Sequence, residues 1–166
     1  MMQDRREIEA LLARMPVGRL GMNTDEGPYV VPMNYLYADE SIYLHSGLEG
    51  RKMDILRDNP RVCFLVDEPG PQVTWDQGCG ISQIYESVVC FGTAEVVEDD
   101  EEKRRILEQM IRKFDPSNYS KPMEEKGIIN TAVVKIHVDW MTSKANRISS
   151  RHKILPNRFL TSLPGQ

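Results

Sequence analysis

A chain of 166 residues, 40% hydrophobic and 28% charged, has the composition of one ordinary globular domain (1–166) with its own core, which excludes a disordered or fibrous protein. The net charge is −4, and the basic residues form no long stripe beyond the short tail Arg147–Arg158, so a nucleic-acid surface is not expected. No apolar run approaches the roughly 18 residues of a membrane span, and the opening MMQDRREIEALLARM lacks a signal-peptide core, so no membrane partner is expected and the expected location is cytoplasmic.

The first element is an amphipathic helix over 1–15. Asp4 and Glu7 are spaced for capping, and Ile8, Leu11, Leu12 and Met15 recur at helical spacing until Pro16 stops them. Val17 to Thr24 reads as a strand, the turn formers Asp25-Glu26-Gly27-Pro28 as a hairpin, and Tyr29 to Tyr37 as a second strand. Pro32 cannot donate to a ladder, which implies an edge, bulge or kink there and leaves backbone groups for a ligand. After a turn at Ala38-Asp39-Glu40, Ser41 to Ser46 alternates so that Ile42 and Leu44 face one way, Tyr43 and His45 the other.

A short helix then runs from Arg51 to Asn59, ended by Asn59-Pro60 before the strand Val62 to Val66. The segment Glu68 to Gly80, with two prolines and three glycines, reads as a long mobile loop of the kind that covers a site. A long strand from Gln83 to Val97 follows, broken at Gly92. Next come a solvated, acid-capped helix to about Phe114, polar irregular chain from Asp115 to Gly127, a strand from Asn130 to Trp140, and a basic tail of undetermined structure over 143–166. About six hairpin-joined strands with flanking helices predict an α+β, mainly β, six-stranded antiparallel barrel.

Cys63, Cys79 and Cys90 are odd in number and lack a Cys-x-x-Cys or paired histidines, so reduced structural thiols are expected and no metal site. There is no Rossmann fingerprint, P-loop or nucleophile elbow. The feature that demands chemistry is Gly50-Arg51-Lys52. Two cations in the first turn of a helix oppose its macrodipole at roughly 0.3–1 kcal/mol each unless an anion sits there. A phosphate would resolve the conflict.

Around that feature lie Gly18-Arg19-Leu20-Gly21, Gly27-Pro28-Tyr29-Val30-Val31-Pro32-Met33-Asn34-Tyr35, Tyr43-Leu44-His45-Ser46 and Asn59-Pro60-Arg61-Val62-Cys63-Phe64. In order and spacing this run resembles the flavin-binding split-barrel superfamily of pyridoxamine phosphate oxidase, and within it the nitroimidazole-resistance (Nim) group. Weaker likenesses are Tyr85 to Ala94, to that group's long central strand, and Trp140 to Lys144, to its closing strand.

The resemblance implies a six-stranded split barrel that forms a homodimer, with FMN in clefts lined by both subunits. Arg51, Lys52 and Ser46 become candidates for the phosphate, and Pro32, Met33, Asn34 and Tyr35 for the isoalloxazine. Tyr85 and Ser87 are candidates that approach the cofactor across the dimer, and His45 is the candidate proton donor. Trp75 and Trp140 are expected mainly as buried aromatics. The implied activity is an FMN-dependent oxidoreductase acting on a small aromatic or heterocyclic molecule. A non-catalytic flavin carrier or sensor, and a haem-binding barrel with His45 as axial ligand, stay open beside it. The tail Ser150 to Phe159 lacks the Arg-x-Trp pattern of true pyridoxamine phosphate oxidases, so vitamin oxidation is not implied.

Overall fold

The computed structural model describes residues 4–76, 79–117 and 121–155. Six long strands close a ring in the order β1-β2-β3-β6-β5-β4, with β1 paired to β4, all antiparallel. They are β1 (Val17–Thr24), β2 (Gly27–Ala38), β3 (Ser41–Gly47), β4 (Arg61–Thr74), β5 (Ile81–Val96) and β6 (Thr131–Asn146); a short β7 (Lys153–Ile154) adds to β4. The helices are α1 (Arg5–Arg14), α2 (Arg51–Asp58), α3 (Asp100–Phe114) and α4 (Glu125–Ile129). The expected antiparallel split barrel with flanking helices is therefore present.

Alternation along each strand fills the ring. Leu20, Met22, Phe64, Val66, Val88, Cys90, Val134 and Ile136 point inward, and α1 and α2 add Leu11, Leu12, Met53 and Leu56 to the same core. Burial pushes the Cys90 thiol up to about 12, so it stays protonated and inert. A second, smaller core forms outside the ring, where Ile106 and Met110 of α3 cover Tyr43 and Val133.

The split has a visible cause. β2 pairs with β1 from Gly27 to Asn34, but with β3 only from Tyr35 to Ala38, so the lower half of β2 has one strand neighbour. Pro32 lies in that half, where its missing N–H breaks no ladder on the open side.

Three expectations need correction. The supposed loop from Glu68 is strand as far as Thr74, because β5 supplies a ladder along its length. Pro69, Gly70 and Pro71 are absorbed by a register shift between Pro69 and Gln72. Residues 77–78, the middle of that expected loop, lie outside the described residues. The last long strand does not stop at Trp140 but runs to Asn146, past a second register shift at Phe91/Gly92. Within the expected irregular segment, Glu125–Ile129 is helical.

The end of α1 shows how local sequence recruits distant side chains. The Leu12 carbonyl would ordinarily accept from residue 16, but Pro16 has no N–H. The Tyr35 hydroxyl donates to it instead, at 2.6 Å. Lys113 Nζ donates to the Met15 carbonyl at 2.9 Å, and Asn34 Nδ2 to the Pro16 carbonyl at 3.1 Å. Tyr35→Phe keeps the ring packed on Phe64 but leaves the Leu12 carbonyl unpaired. It is expected to cost about 1–2 kcal/mol in a urea titration without changing ligand binding.

Candidate functional site

The predicted site residues fall into three places. The first is a candidate anion corner where α2 begins. Gly50 precedes the helix with φ of 114°, a conformation that favours glycine, and offers no side chain to cap it. The Met53 and Asp54 amides return to the Gly50 carbonyl, which leaves the Arg51 and Lys52 amides at the helix mouth. Lys52 is half-buried, and its Nζ contacts only the Met33 sulfur, at 3.4 Å, among the described residues. No carboxylate pairs with it, and burial pushes its pKa down.

Arg51 is exposed, donates to Glu26 Oε2 at 2.7 Å and lies 4.9 Å over the Tyr29 ring. An exposed ion pair of this kind is worth about 0–1 kcal/mol, so Arg51 can exchange Glu26 for a stronger anion at small cost. The Ser46 side chain is half-buried near the end of β3, the strand before α2, and has no protein hydrogen bond among the described residues. Two cations, a free hydroxyl and helix N–H groups fit a phosphate dianion. The Glu26 and Tyr29 contacts of Arg51 were not foreseen from sequence.

The second place is the outer face of β2 and β3. Asn34 and His45 line one cavity there together with α3 and α4. His45 is exposed, and its imidazole has no protein hydrogen bond among the described residues. Pro32 is exposed on the same outward register of β2, whereas Met33 turns toward the barrel core. Tyr35 is the exception in the isoalloxazine group. Its side chain is fully buried and its hydroxyl is committed to α1, so it supports the site from within the core. The part played by α3 was missed, although Leu107, Met110, Ile111 and Phe114 repeat at helical spacing and so signalled a second apolar face.

The third place is the far half of β5. Tyr85 and Ser87 pair with Pro69 and Asp67 of β4, on the stretch beyond the β1–β4 contact, and Ser87 Oγ donates to the Lys144 carbonyl at 3.4 Å. They are therefore not gathered with Lys52 or His45 within one chain.

Between these places the barrel's outer surface carries two rows in register that are apolar except at Arg19 and Thr142. Val30, Gly21, Cys63, Phe91 and Trp140 form one row across β2, β1, β4, β5 and β6, and Pro32, Arg19, Leu65, Val89 and Thr142 form the next. Val30 is 58% and Trp140 51% exposed, and Trp140 stacks on Phe91 at 4.0 Å. The expectation of a buried Trp140 is thus corrected: it lies on the outer face, because the register shift at Phe91/Gly92 turns it outward. Trp75 is partly buried with its ring 5.7 Å from that of His152.

The profile of the pyridoxamine 5'-phosphate oxidase family matches residues 4–145, which include every strand of the ring except the last residue of β6. The chain belongs to that family. Its structure is similar to that of a candidate 5-nitroimidazole antibiotic resistance protein from Bacteroides thetaiotaomicron, with 35% identity and a TM-score of 0.71 over 86% of this chain and 84% of that one. An FAD and heme binding protein from Mycobacterium smegmatis shares the fold at 20% identity and a TM-score of 0.78, over 86% and 71% of the two chains. An uncharacterized protein of Rhizobium meliloti (strain 1021) is 31% identical over 71 residues, which span 43% of this chain and only 46% of that relative. The architecture is that of the flavin-binding split barrels. No helix among the described residues is long and apolar enough to cross a membrane, and they contain no cluster of metal-ligating side chains.

Proposed function

We propose that the protein is an FMN-dependent oxidoreductase acting on a small aromatic or heterocyclic acceptor, assembled as a homodimer with the flavin site at the subunit interface. The observation that carries this reading is Lys52, a partly desolvated cation with no carboxylate partner among the described residues, at the mouth of a helix beside Arg51. A phosphate monoester supplies the missing charge, and the family provides the flavin nucleotide as its bearer. Bound FMN supplies hydride or electron transfer, chemistry that no side chain of this protein offers.

The chain's own residues bind and orient. Lys52, Arg51 and Ser46 hold the phosphate through charge-assisted hydrogen bonds. The open edge of β2 near Pro32 and Asn34 presents polar groups to the ring's edge. His45, with an uncommitted imidazole, donates a proton to the acceptor. Tyr85 and Ser87 serve the site of the second subunit, since both lie on the outward register of β5 that the apolar rows occupy.

The test is to purify the protein and identify its chromophore by mass, with FMN the expected result. Oxidation of the reduced protein by nitroimidazoles and quinones is then followed by stopped flow. Rates well above those of free reduced FMN are expected; equal rates would leave a flavin carrier, and a Soret band in place of flavin absorbance would mean haem. The described part of the tail contains no Arg-x-Trp, which favours an acceptor other than the vitamin phosphate.

A further inference from the structure

The cavity that contains His45 and Asn34 has a volume of about 440 Å³, within the roughly 300–1,000 Å³ of small-molecule sites. One wall is the α3 stripe of Leu107, Met110, Ile111 and Phe114; the facing wall is α4, at Gly127 and Ile128. Among the described residues its lining includes no lysine or arginine. The charged groups there, among the described residues, are Asp115 and Glu124, both acidic. That electrostatic sign disfavours a phosphate and separates this cavity from the anion corner.

Gly127 is the informative residue. It sits inside a helix, where glycine costs about 0.5–1 kcal/mol relative to alanine, yet neither backbone nor packing requires it. Its φ is not positive, and a Cβ built there meets nothing within 4 Å. Gly127 is exposed and lines the cavity, so a larger side chain there adds bulk at its wall without a clash. The His45 imidazole, which also lines the cavity, has no protein hydrogen bond among the described residues, and Asn34 donates one amide N–H to the Pro16 carbonyl.

We infer that this cavity receives a flat, apolar guest that is neutral or cationic, held against His45 and Asn34, and that Gly127 is small in order to admit it. The inference rests on the flavin reading for the guest's role as acceptor, but not for whether the guest binds. Three features select it: an aliphatic and aromatic lining, one hydrogen-bonding wall, and acidic groups that repel anions.

The experiment is calorimetric titration of the purified, FMN-loaded protein with 1-naphthol and 1-naphthoate, repeated on Gly127→Leu and Gly127→Ala. The wild-type protein should bind 1-naphthol at least about tenfold more tightly than the anion. Gly127→Leu should weaken 1-naphthol at least about tenfold and Gly127→Ala less, each with an unchanged circular dichroism spectrum, an unchanged or higher melting temperature and unchanged FMN affinity. Absence of 1-naphthol binding by the wild type, equal binding by Gly127→Leu, or equal binding of the anion would overturn the inference. A Gly127→Leu protein that loses FMN would also overturn it, by giving the cavity to the flavin. If the purified protein holds no flavin, the flavin reading fails, while the same titrations still decide what the cavity takes.

Discussion

Replacing Arg51 and Lys52 together by alanine is expected to weaken FMN binding by about 10²–10³-fold while the protein stays folded. Each charge-assisted hydrogen bond contributes about 1.5–3 kcal/mol, and one part of that is offset because Arg51 must first leave Glu26. Equilibrium titration of the apoprotein with FMN measures it, and unchanged affinity would remove the phosphate assignment. The single changes should differ. Lys52 carries the larger share, since it is half-buried with no acid to release, whereas Arg51 exchanges one anion for another.

A stability measurement on the same residue gives an independent check. Burial lowers the folded-state pKa of Lys52 below its ordinary value of 10.5, so between those two values the unfolded chain holds more protons than the folded one. The stability of the unliganded protein therefore rises with pH across that window, and at neutral pH the buried ammonium is a cost. Lys52→Met should melt at a higher temperature than the wild type without FMN, with the difference shrinking as the pH approaches 10.5. With FMN present the order should reverse. A wild type that is the more stable in both states would mean that Lys52 has a partner other than a ligand.

Trp140→Glu is expected to convert the proposed homodimer to monomers and to lower FMN retention with it. The two rows through Phe91 and Leu65, apolar except at Arg19 and Thr142, lie on the outer face of five strands, and exposed apolar surface of this extent is the expected seat of an interaction. In the proposed homodimer a second copy would also bring Tyr85 and Ser87 to a site they do not reach within their own chain. In a two-fold interface the substitution places two unpaired carboxylates out of water. At a few kcal/mol each, this weakens association by about 10³-fold or more. Sedimentation velocity reads the result; Val30→Glu, at the other end of the same row, should act alike. Because both positions are about half exposed in the single chain, the monomer should keep its fold. If both variants remain dimeric, the interface lies elsewhere.

The cation pair at the start of α2 was legible because its signal is local. A glycine followed by two cations at a helix start conflicts with the helix dipole whatever surrounds it, and the flanking strands follow from period-two alternation in Val17–Thr24 and Ser41–Ser46. The role of Tyr35 was not legible. Its place in the run beside Asn34 is the same whether the ring meets a ligand or the core, and the deciding fact is that α1, some twenty residues earlier, ends at a proline that cannot satisfy Leu12. Nor was the separation of Tyr85 and Ser87 from Lys52, which depends on how far β5 runs past the β1–β4 contact.

By itself, then, the amino-acid order determined the short-range properties: strand alternation, helix caps, the turn residues, the family likeness and the cations at position 51 and 52. Those depend on backbone geometry and charge within a few residues. Only the tertiary structure decided that Pro69-Gly70-Pro71 continues a strand, since a neighbouring ladder outweighs local propensity. It alone decided that Trp140 faces outward, through a one-residue shift in register that reverses every side chain beyond it. It also made the α3–α4 cavity, because a wall built from two helices and a strand pair is a property of their packing and is written in none of them singly.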